Sequence, residues 1–164
     1  MWNPFRRTRL STSAKSANFK EVMRLAYQEA VRLDNDVLHT AHFLLAVIAD
    51  ESSSLYQHIT QPPVDVAKLK HQLENSVKGR RQRQHGILVT GSLLLSREFE
   101  GAYDYSFREA FNAGAKQVEP IHLAIGIFNQ ALSSSAPILQ SFGISVETLR
   151  TLSALNPSPS EDTK

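Results

Sequence analysis

The stretch TAHFLLAVI at residues 40–48 returns eighty residues later as PIHLAIGIF at 120–128. Each copy has a histidine in third place, followed by six residues dominated by aliphatic and aromatic side chains. A helix that is apolar on nearly all sides is typical of an element buried in the middle of a bundle. The two stretches therefore predict two buried helices, one in each half of an internally repeated chain.

The repeat extends well beyond these two helices. Shifting the sequence by 80 positions aligns residues 16–77 with 96–157 without a gap, although only nine positions are identical. The hydrophobic pattern is the stronger evidence, because apolar positions keep their character, as in Leu45 with Ile125 and Val47 with Ile127. We interpret the chain as a duplicated unit.

Each unit predicts four helices. The first helices have a 3.6-residue apolar period and a serine at the capping position, Ser16 or Ser96. Their expected inward faces are Phe19, Val22, Ala26, Ala30 and Leu33 in the first unit, and Phe99, Ala102, Ser106, Ala110 and Ala113 in the second. Asp34 and Gly114 follow these helices, where a left-handed residue commonly ends a helix.

The remaining helices have their own start signals. Thr40 is expected to cap the second helix of the first unit, and Pro120 suits the opening turn of its counterpart. The serine-rich turns ESSS and LSSS, residues 51–54 and 132–135, are expected to cap the short third helices. Asp65 and Ser145 are the expected caps of the fourth helices. Residues 86–95 could form a short extended piece.

The predicted fold class is therefore all-α, with two pseudo-symmetric four-helix repeats. The expected organisation is a flexible basic arm at 1–15, repeat one at 16–77, a basic linker at 78–95, repeat two at 96–155 and a disordered tail at 156–164. The tail is rich in residues that do not build a core.

Composition narrows the function classes. With 41% hydrophobic and 21% charged residues, the 164-residue chain has the composition of an ordinary soluble globular protein. It has no cysteine, which excludes disulfides, cysteine metal sites and thiol catalysis. The longest apolar run, 43–49, is far too short to span a bilayer.

Basic residues cluster in two segments although the net charge is only +2. The first cluster contains Arg6, Arg7 and Arg9, and the second contains Lys78, Arg80, Arg81 and Arg83. Such clusters could contact nucleic-acid phosphates or anionic lipid headgroups. They lack interleaved aromatic residues and a recognisable reading helix, so a solvated arm and loop is the favoured interpretation.

The runs QEAVRLDNDVLHTAHFLLAVI, REAFNAGAKQVEPIHLAIGIF and LQSFGISVETLR together resemble the Clp amino-terminal domain, over about residues 16–155. This domain docks substrates and adaptors at the front of ClpA- and ClpC-type AAA+ unfoldases. The resemblance implies an all-α interaction module used in protein quality control and proteolysis. The chain has no G-x-x-x-x-G-K-[ST] phosphate loop, so it resembles a free-standing Clp repeat domain of the kind known as accessory subunits of Clp proteases.

The chain departs from the family inside its T-E-H motif. In ClpC-like domains the glutamate of each copy is implicated in reading phosphoarginine, and a carboxylate is the natural partner of a guanidinium group. Those positions are Ala41 and Ile121 here, and Pro120 replaces the second threonine. We therefore predict that phosphoarginine recognition is lost. If the family's arrangement holds, Thr40, Ala41, Pro120 and Ile121 would border a groove between the repeats, with an apolar rim that favours hydrophobic segments over charged tags.

His42 and His122 occupy equivalent positions and could suggest a metal or catalytic role. No second histidine or carboxylate recurs with both of them, so structural histidines bonded to nearby backbone are favoured. His39 with His42 could bind a metal weakly, but the second repeat has Glu119 and His122 there. Gly114 is likewise interpreted as structural.

Glu29 and Glu109 also match across the repeats and could be an acid–base pair. A solvated or salt-bridged surface is the favoured interpretation, because helix faces commonly carry charged residues. The sequence therefore predicts neither an enzyme nor a cofactor nor a metal site.

The predicted function is non-catalytic protein interaction, as an adaptor or accessory subunit of a Clp unfoldase or protease. A peptide or a partner helix would dock in the groove between the repeats. The alternative is a nucleic-acid- or membrane-associated helical protein that uses its basic arm and linker. A cytoplasmic location is expected, or an organelle if the basic arm is a transit peptide.

Overall fold

The computed structural model describes residues 15–80 and 93–155, and within them the chain forms eight helices and two short strands. The helices are α1 (Ala17–Arg32), α2 (Thr40–Ala49), α3 (Ser54–Ile59), α4 (Val66–Val77), α5 (Arg97–Asn112), α6 (Pro120–Phe128), α7 (Ala136–Ser141) and α8 (Val146–Leu155). The strands are β1 (Val37–Leu38) and β2 (Leu94–Leu95). The predicted all-α fold with two four-helix repeats is confirmed.

Helices α1 and α5 begin as their sequences predict. The Ser16 hydroxyl accepts the Phe19 backbone N–H at 2.9 Å, and the Ser96 hydroxyl accepts that of Phe99 at 3.2 Å. The expected inward faces are buried with two exceptions: Leu33 is half-buried, and Ala113 is exposed because α5 ends one residue before it. The left-handed residues are confirmed, with φ 54° at Asp34 and 67° at Gly114.

Helices α2 and α6 lie at the centre of their repeats. Helix α2 packs against α1 and α4, and α6 packs against α5 and α8. Gly126 allows α5 and α6 to approach closely, because a Cβ at this residue would lie 2.4 Å from the Ala102 carbonyl oxygen. The expectation that Thr40 caps α2 is wrong. His39 occupies that position with an extended backbone, and the Thr40 hydroxyl bonds to Glu98 and Ser135 instead.

Helices α4 and α8 also begin where their sequences predict. Asp65 accepts the Lys68 N–H at 3.0 Å, and the Ser145 hydroxyl accepts the Thr148 N–H at 3.2 Å. The serine-rich turns behave differently from each other. The Ser133 hydroxyl accepts the Ala136 N–H at the start of α7, whereas the buried Ser53 hydroxyl makes no capping bond to α3. A serine hydroxyl therefore bonds the first residue of the third helix in the second repeat only, and there the N-cap residue Ser135 makes no side-chain cap bond.

No helix in residues 15–80 or 93–155 is long and apolar enough to cross a membrane. The two repeats share one core, in which side chains of α1, α2 and α4 join those of α5, α6 and α8. Of the stretch expected to be extended, Leu94–Leu95 forms β2, and residues 86–92 lie outside the described residues. Residues 1–14 of the expected arm at 1–15 and the tail at 156–164 lie outside them as well.

The two repeats exchange backbone pairings at two symmetric places. Val37 and Leu38 pair in parallel with Leu94 and Leu95, and the Ser96 N–H donates to the Leu38 carbonyl at 2.9 Å. In the same way Lys15 bridges to Val118, and the Ser16 N–H donates to the Val118 carbonyl at 3.1 Å. The segment before the first helix of each repeat is thus held by the segment before the second helix of the other. This reciprocal pairing places α1 beside α5.

Candidate functional site: the groove between the repeats

A groove of about 480 Å³ lies where α1 meets the start of the second repeat. Helix α1 provides one wall, and β2 and α5 provide the other. We call it the inter-repeat groove, lined by Lys15, Phe19, Lys20, Met23, Arg24, Tyr27, Leu95 and Tyr103. Because both repeats contribute lining residues, the groove depends on the reciprocal pairing described above.

Aromatic rings form the floor of the inter-repeat groove. The Phe19 and Tyr103 ring centroids are 6.1 Å apart, and Tyr103 meets Phe107 edge-on at 5.2 Å. Phe19 is buried, whereas Tyr27 and Tyr103 are half-buried and present part of their rings to solvent. Met23 adds a flexible thioether, which adapts readily to a partner's shape. Burial raises the pKa of the Tyr27 phenol, so this hydroxyl stays neutral at physiological pH.

Cationic side chains form the rim of the groove. The Lys15 Nζ lies 5.1 Å from the Tyr103 ring centroid, over its face, in a cation–π contact. Lys20 is exposed. Arg24 is exposed as well and is paired with Glu21 at 2.6 Å on the same helix. Counting these four side chains, the rim carries three positive charges and one negative charge, a net of about +2. The groove is therefore aromatic at its floor and positive at its edge.

The residues expected to border a groove lie elsewhere. Thr40 and Ala41 are both 0% exposed, and Pro120 is buried too, so none of the three presents a side chain to a partner. Ile121 is half-buried and packs against the core. The expectation for Thr40, Ala41 and Pro120 is corrected. The physical reason at Thr40 is that the other repeat covers it.

Glu98 of α5 is the residue that covers the start of α2. Its carboxylate accepts the Thr40 hydroxyl at 3.0 Å and the Ser134 backbone N–H at 2.9 Å. Because the Thr40 proton goes to Glu98, Ser135 donates the 2.7 Å bond between its hydroxyl and that of Thr40. This buried polar cluster joins α2, α5 and the turn before α7. It is a structural link between the repeats.

His42 has both ring nitrogens bonded. Its Nδ1 accepts the His39 backbone N–H at 2.9 Å, and its Nε2 lies 2.9 Å from Oδ1 of Asn35. The Asn35 amide nitrogen donates to the Val77 carbonyl, so Oδ1 is the acceptor and Nε2 of His42 carries the proton. The neutral ring makes both of these hydrogen bonds. Burial lowers the pKa of His42 to about 4.

His122 repeats this arrangement in the second repeat. Its Nδ1 accepts the Glu119 N–H at 2.9 Å, and its Nε2 lies 3.2 Å from the Ser153 hydroxyl of α8. Burial lowers the pKa of His122 as well. These bonds hold the start of each central helix to a neighbouring element and leave no free ring nitrogen for a metal.

His39 differs from both, because neither of its ring nitrogens has a hydrogen-bond partner. It is buried, with Nδ1 4.0 Å from a Glu98 oxygen. Burial lowers the pKa of His39, although the Glu98 charge opposes this effect. Across the part of the chain that the structure describes, no group of three or more His, Cys, Asp or Glu side chains could hold a metal ion.

Glu29 and Glu109, which match across the repeats, both form salt bridges, in agreement with the expected solvated or salt-bridged surface. Glu29 pairs with Arg32 at 2.6 Å, and Glu109 pairs with Arg150 of α8 at 3.1 Å. Of the predicted basic patch, Lys78 and Arg80 are exposed at the end of α4. The other members, Arg6, Arg7, Arg9, Arg81 and Arg83, lie outside the described residues.

Sequence reasoning did not find the floor of the groove. A signal was present, since Met23 and Tyr27 in α1 match Tyr103 and Phe107 in α5, four residues apart on each helix. These positions flank the inward face, so they border whatever packs beside it. The element that packs beside these positions depends on how the two repeats pair. The 3.6-residue period of a single helix does not specify this pairing.

The fold defines a duplicated helical domain, and the comparisons with known proteins show its family. The model of the Clp repeat (R) N-terminal domain family matches residues 15–106, more than half of the chain. The chain belongs to this family. Clp N-terminal domains are non-catalytic protein-interaction modules of Clp unfoldases, and they bind partners of Clp ATPase systems.

One curated relative is the chaperone protein ClpB of Oceanobacillus iheyensis, 22% identical over 131 residues. That alignment covers 80% of this chain and 16% of ClpB, so the chain spans about a sixth of its relative's length. Whatever the rest of ClpB does is therefore not carried over to this chain.

Solved structures show the same fold. The N-terminal domain of the chaperone ClpD from Arabidopsis thaliana has a TM-score of 0.64 at 17% identity, covering 89% of this chain and 98% of that domain. A chain from preliminary structural investigations of a malarial protein secretion system has a TM-score of 0.67 at 18% identity, covering 87% of this chain and 94% of that chain. A third comes from work on the ATPase ClpV, the TssB–TssC sheath and the accessory HsiE protein of type VI secretion. It has a TM-score of 0.64 at 19% identity, covering 90% of this chain and 92% of that chain.

Proposed function

We propose that this chain is an accessory or adaptor module of a Clp ATPase or protease system, and that it docks a partner protein in the inter-repeat groove. The observation that carries the proposal is the groove itself. It presents half-buried Met23, Tyr27 and Tyr103 to solvent where α1 meets α5. Aromatic residues and methionine are enriched at protein interfaces, where they provide apolar contact area. Membership of the Clp repeat family supports the same class of function.

The docking mechanism needs no chemical step. A partner segment would lay apolar side chains on the aromatic floor, as in helix-in-groove recognition. The α1 and α5 walls are fixed by the reciprocal backbone pairing, so little ordering of the groove is required when the partner binds. Adaptor function follows if the same chain contacts a Clp ATPase through another surface. A cytoplasmic location is part of this proposal, with an organelle as the alternative.

We also propose that phosphoarginine is not read at the T-E-H positions. Ala41 and Ile121 have no side-chain acceptor, and Ala41 is fully buried. At the first of these positions, the Glu98 carboxylate beside Thr40 already accepts bonds from Thr40 and Ser134. A guanidinium ligand would have to displace both of these bonds.

The test is affinity capture from native lysate on the full chain, with bound proteins identified by mass spectrometry. The chain is compared with Met23→Glu, which places a charge in the groove, and with Lys70→Gln, an exposed lysine of α4. Melting followed by circular dichroism checks that each variant is folded. A Clp ATPase or peptidase subunit captured by the chain and by Lys70→Gln, but lost with Met23→Glu, supports the proposal.

Two results would contradict it. Capture of nucleic acid or lipid alone, abolished by deleting residues 1–14, would move the function to the basic arm. Equal capture of the Clp subunit by the chain and Met23→Glu would keep the accessory role but exclude the groove as its docking site.

A further inference from the structure

The rim of the inter-repeat groove indicates which partner it selects. Lys15 and Lys20 form no ion pair within the described residues. Arg24 is paired only with Glu21, one helical turn away on the exposed face of α1. The Arg24 guanidinium donates two bonds to Glu21, but both side chains are about half exposed, so a carboxylate of a partner can compete for Arg24 in solvent.

The sequence on either side of the lining residues is also basic. The first 24 residues contain six basic residues and one acidic residue, a net of +5. Residues 78–97, which lead into β2 and α5, contain five basic residues and no acidic one. Each of these two segments includes a residue that lines the groove, Lys15 in one and Leu95 in the other. Charge of one sign around a cleft attracts ligands of the opposite sign and raises their association rate.

The same charges argue against the basic arm and the basic linker as occupants of the groove, since both would meet like charge. An uncharged apolar segment would gain nothing from the positive charge of the rim. The aromatic floor, for its part, gives little to a purely acidic segment without apolar side chains.

Resting on the proposed function, we infer that the inter-repeat groove binds an acidic amphipathic segment of a partner protein. Its apolar side chains lie on Met23, Tyr27 and Tyr103, and its carboxylates meet Lys15, Lys20 and Arg24. This groove differs from the one expected around Thr40, Ala41, Pro120 and Ile121, whose apolar rim would favour hydrophobic segments over charged tags. The rim of the inter-repeat groove is cationic, and it favours segments that are both apolar and acidic.

The experiment selects from a displayed library of random 15-residue peptides on the full chain, with Met23→Glu as the counter-selection. The most enriched peptide is synthesised with a fluorophore, both as selected and with every Glu and Asp replaced by Gln or Asn. Anisotropy titrations compare the chain with Lys15→Gln/Lys20→Gln and with the matched control Lys68→Gln/Lys70→Gln. The control removes the same charge from α4.

We expect enriched peptides that combine acidic with aromatic or aliphatic residues. Affinity for the acidic peptide should fall about three- to tenfold in Lys15→Gln/Lys20→Gln, the effect of losing two exposed ion pairs, and should stay unchanged in the control. Raising the salt concentration should weaken the acidic peptide more than its amide version.

Four results would overturn the inference. Enriched peptides without excess acid, or an acidic peptide indifferent to both lysine changes, would leave apolar docking intact and remove charge selection. Enrichment that occurs only on a chain lacking residues 156–164 would assign the groove to the chain's own tail, which contains Glu161 and Asp162. No enrichment over Met23→Glu on either chain would remove the proposed function as well.

Discussion

Lowering the pH from 7.5 to 5 should destabilise the fold through His42, whose ring is held neutral by its two hydrogen bonds. Protonation of Nδ1 would turn it from an acceptor into a donor that faces the His39 backbone N–H. The pKa of His42 is lowered from 6.5 to about 4 by burial. The unfolded chain therefore binds a proton at this residue before the folded chain does.

The sign and size follow from proton linkage. A histidine with a depressed folded-state pKa stabilises the fold fully above pH 6.5, and this contribution is lost as the pH falls from 6.5 towards 4. For this pair of pKa values, the free energy of unfolding drops by about 2 kcal/mol between pH 7.5 and pH 5. Burial lowers the pKa of His39 and His122 too, so they act in the same direction. Burial raises the pKa of Glu119, which acts in the opposite direction.

Urea denaturation at the two pH values measures this loss, with His42→Gln as the variant that keeps a side-chain acceptor but does not titrate. We expect its stability to fall by about 2 kcal/mol less than that of the unchanged chain. NMR titration of the His42 ring in the folded protein provides a readout that does not need the variant. A ring that titrates near pH 6.5, or equal losses in both chains, would refute the reasoning.

Four further outcomes test the packing, the polar cluster, a helix cap and the proposed loss of phosphoarginine recognition. Gly126→Ala should cost about 1–3 kcal/mol by overpacking against the Ala102 carbonyl, measured as a lower urea midpoint, and an unchanged midpoint would show that α5 and α6 separate freely. Glu98→Ala should cost about 1–3 kcal/mol, because it leaves the buried Thr40 hydroxyl without its acceptor, whereas Glu98→Gln should recover part of the loss. Asp65→Ala should cost about 1 kcal/mol as a lost α4 cap. Calorimetric titration with free phosphoarginine should give no heat of binding, and saturable binding would contradict the proposed loss of that site.

The helices were predictable because their signals are local. The 3.6-residue period of Phe19, Val22 and Ala26, and the serines before each first helix, depend only on neighbours in sequence. The same is true of the left-handed residue at Gly114. Membership of the Clp repeat family was predictable from the order and spacing of these signals.

The site was less predictable because its contacts join residues far apart in sequence. Thr40 looks like an N-cap locally, but its hydroxyl bonds to Glu98, 58 residues away. Ala41, the next residue, is fully buried as well. The groove floor requires Phe19 to meet Tyr103, and nothing in the period of either helix specifies this pairing. The placement of one repeat relative to the other is fixed by the reciprocal backbone pairing. The pattern of apolar side chains along each helix does not encode that pairing.

The reciprocal pairing has a consequence for the lifetime of the protein. Because the groove exists only while the repeats are docked, an occupant binds the closed chain and not a chain whose repeats have separated. An occupant at a hundred times its dissociation constant would lower the separated population about a hundredfold, or about 2.7 kcal/mol. Cleavage by a protease that attacks opened chains tracks that population. A loaded molecule should therefore outlive an empty one beside a protease, so that occupancy of the groove sets the rate of its turnover.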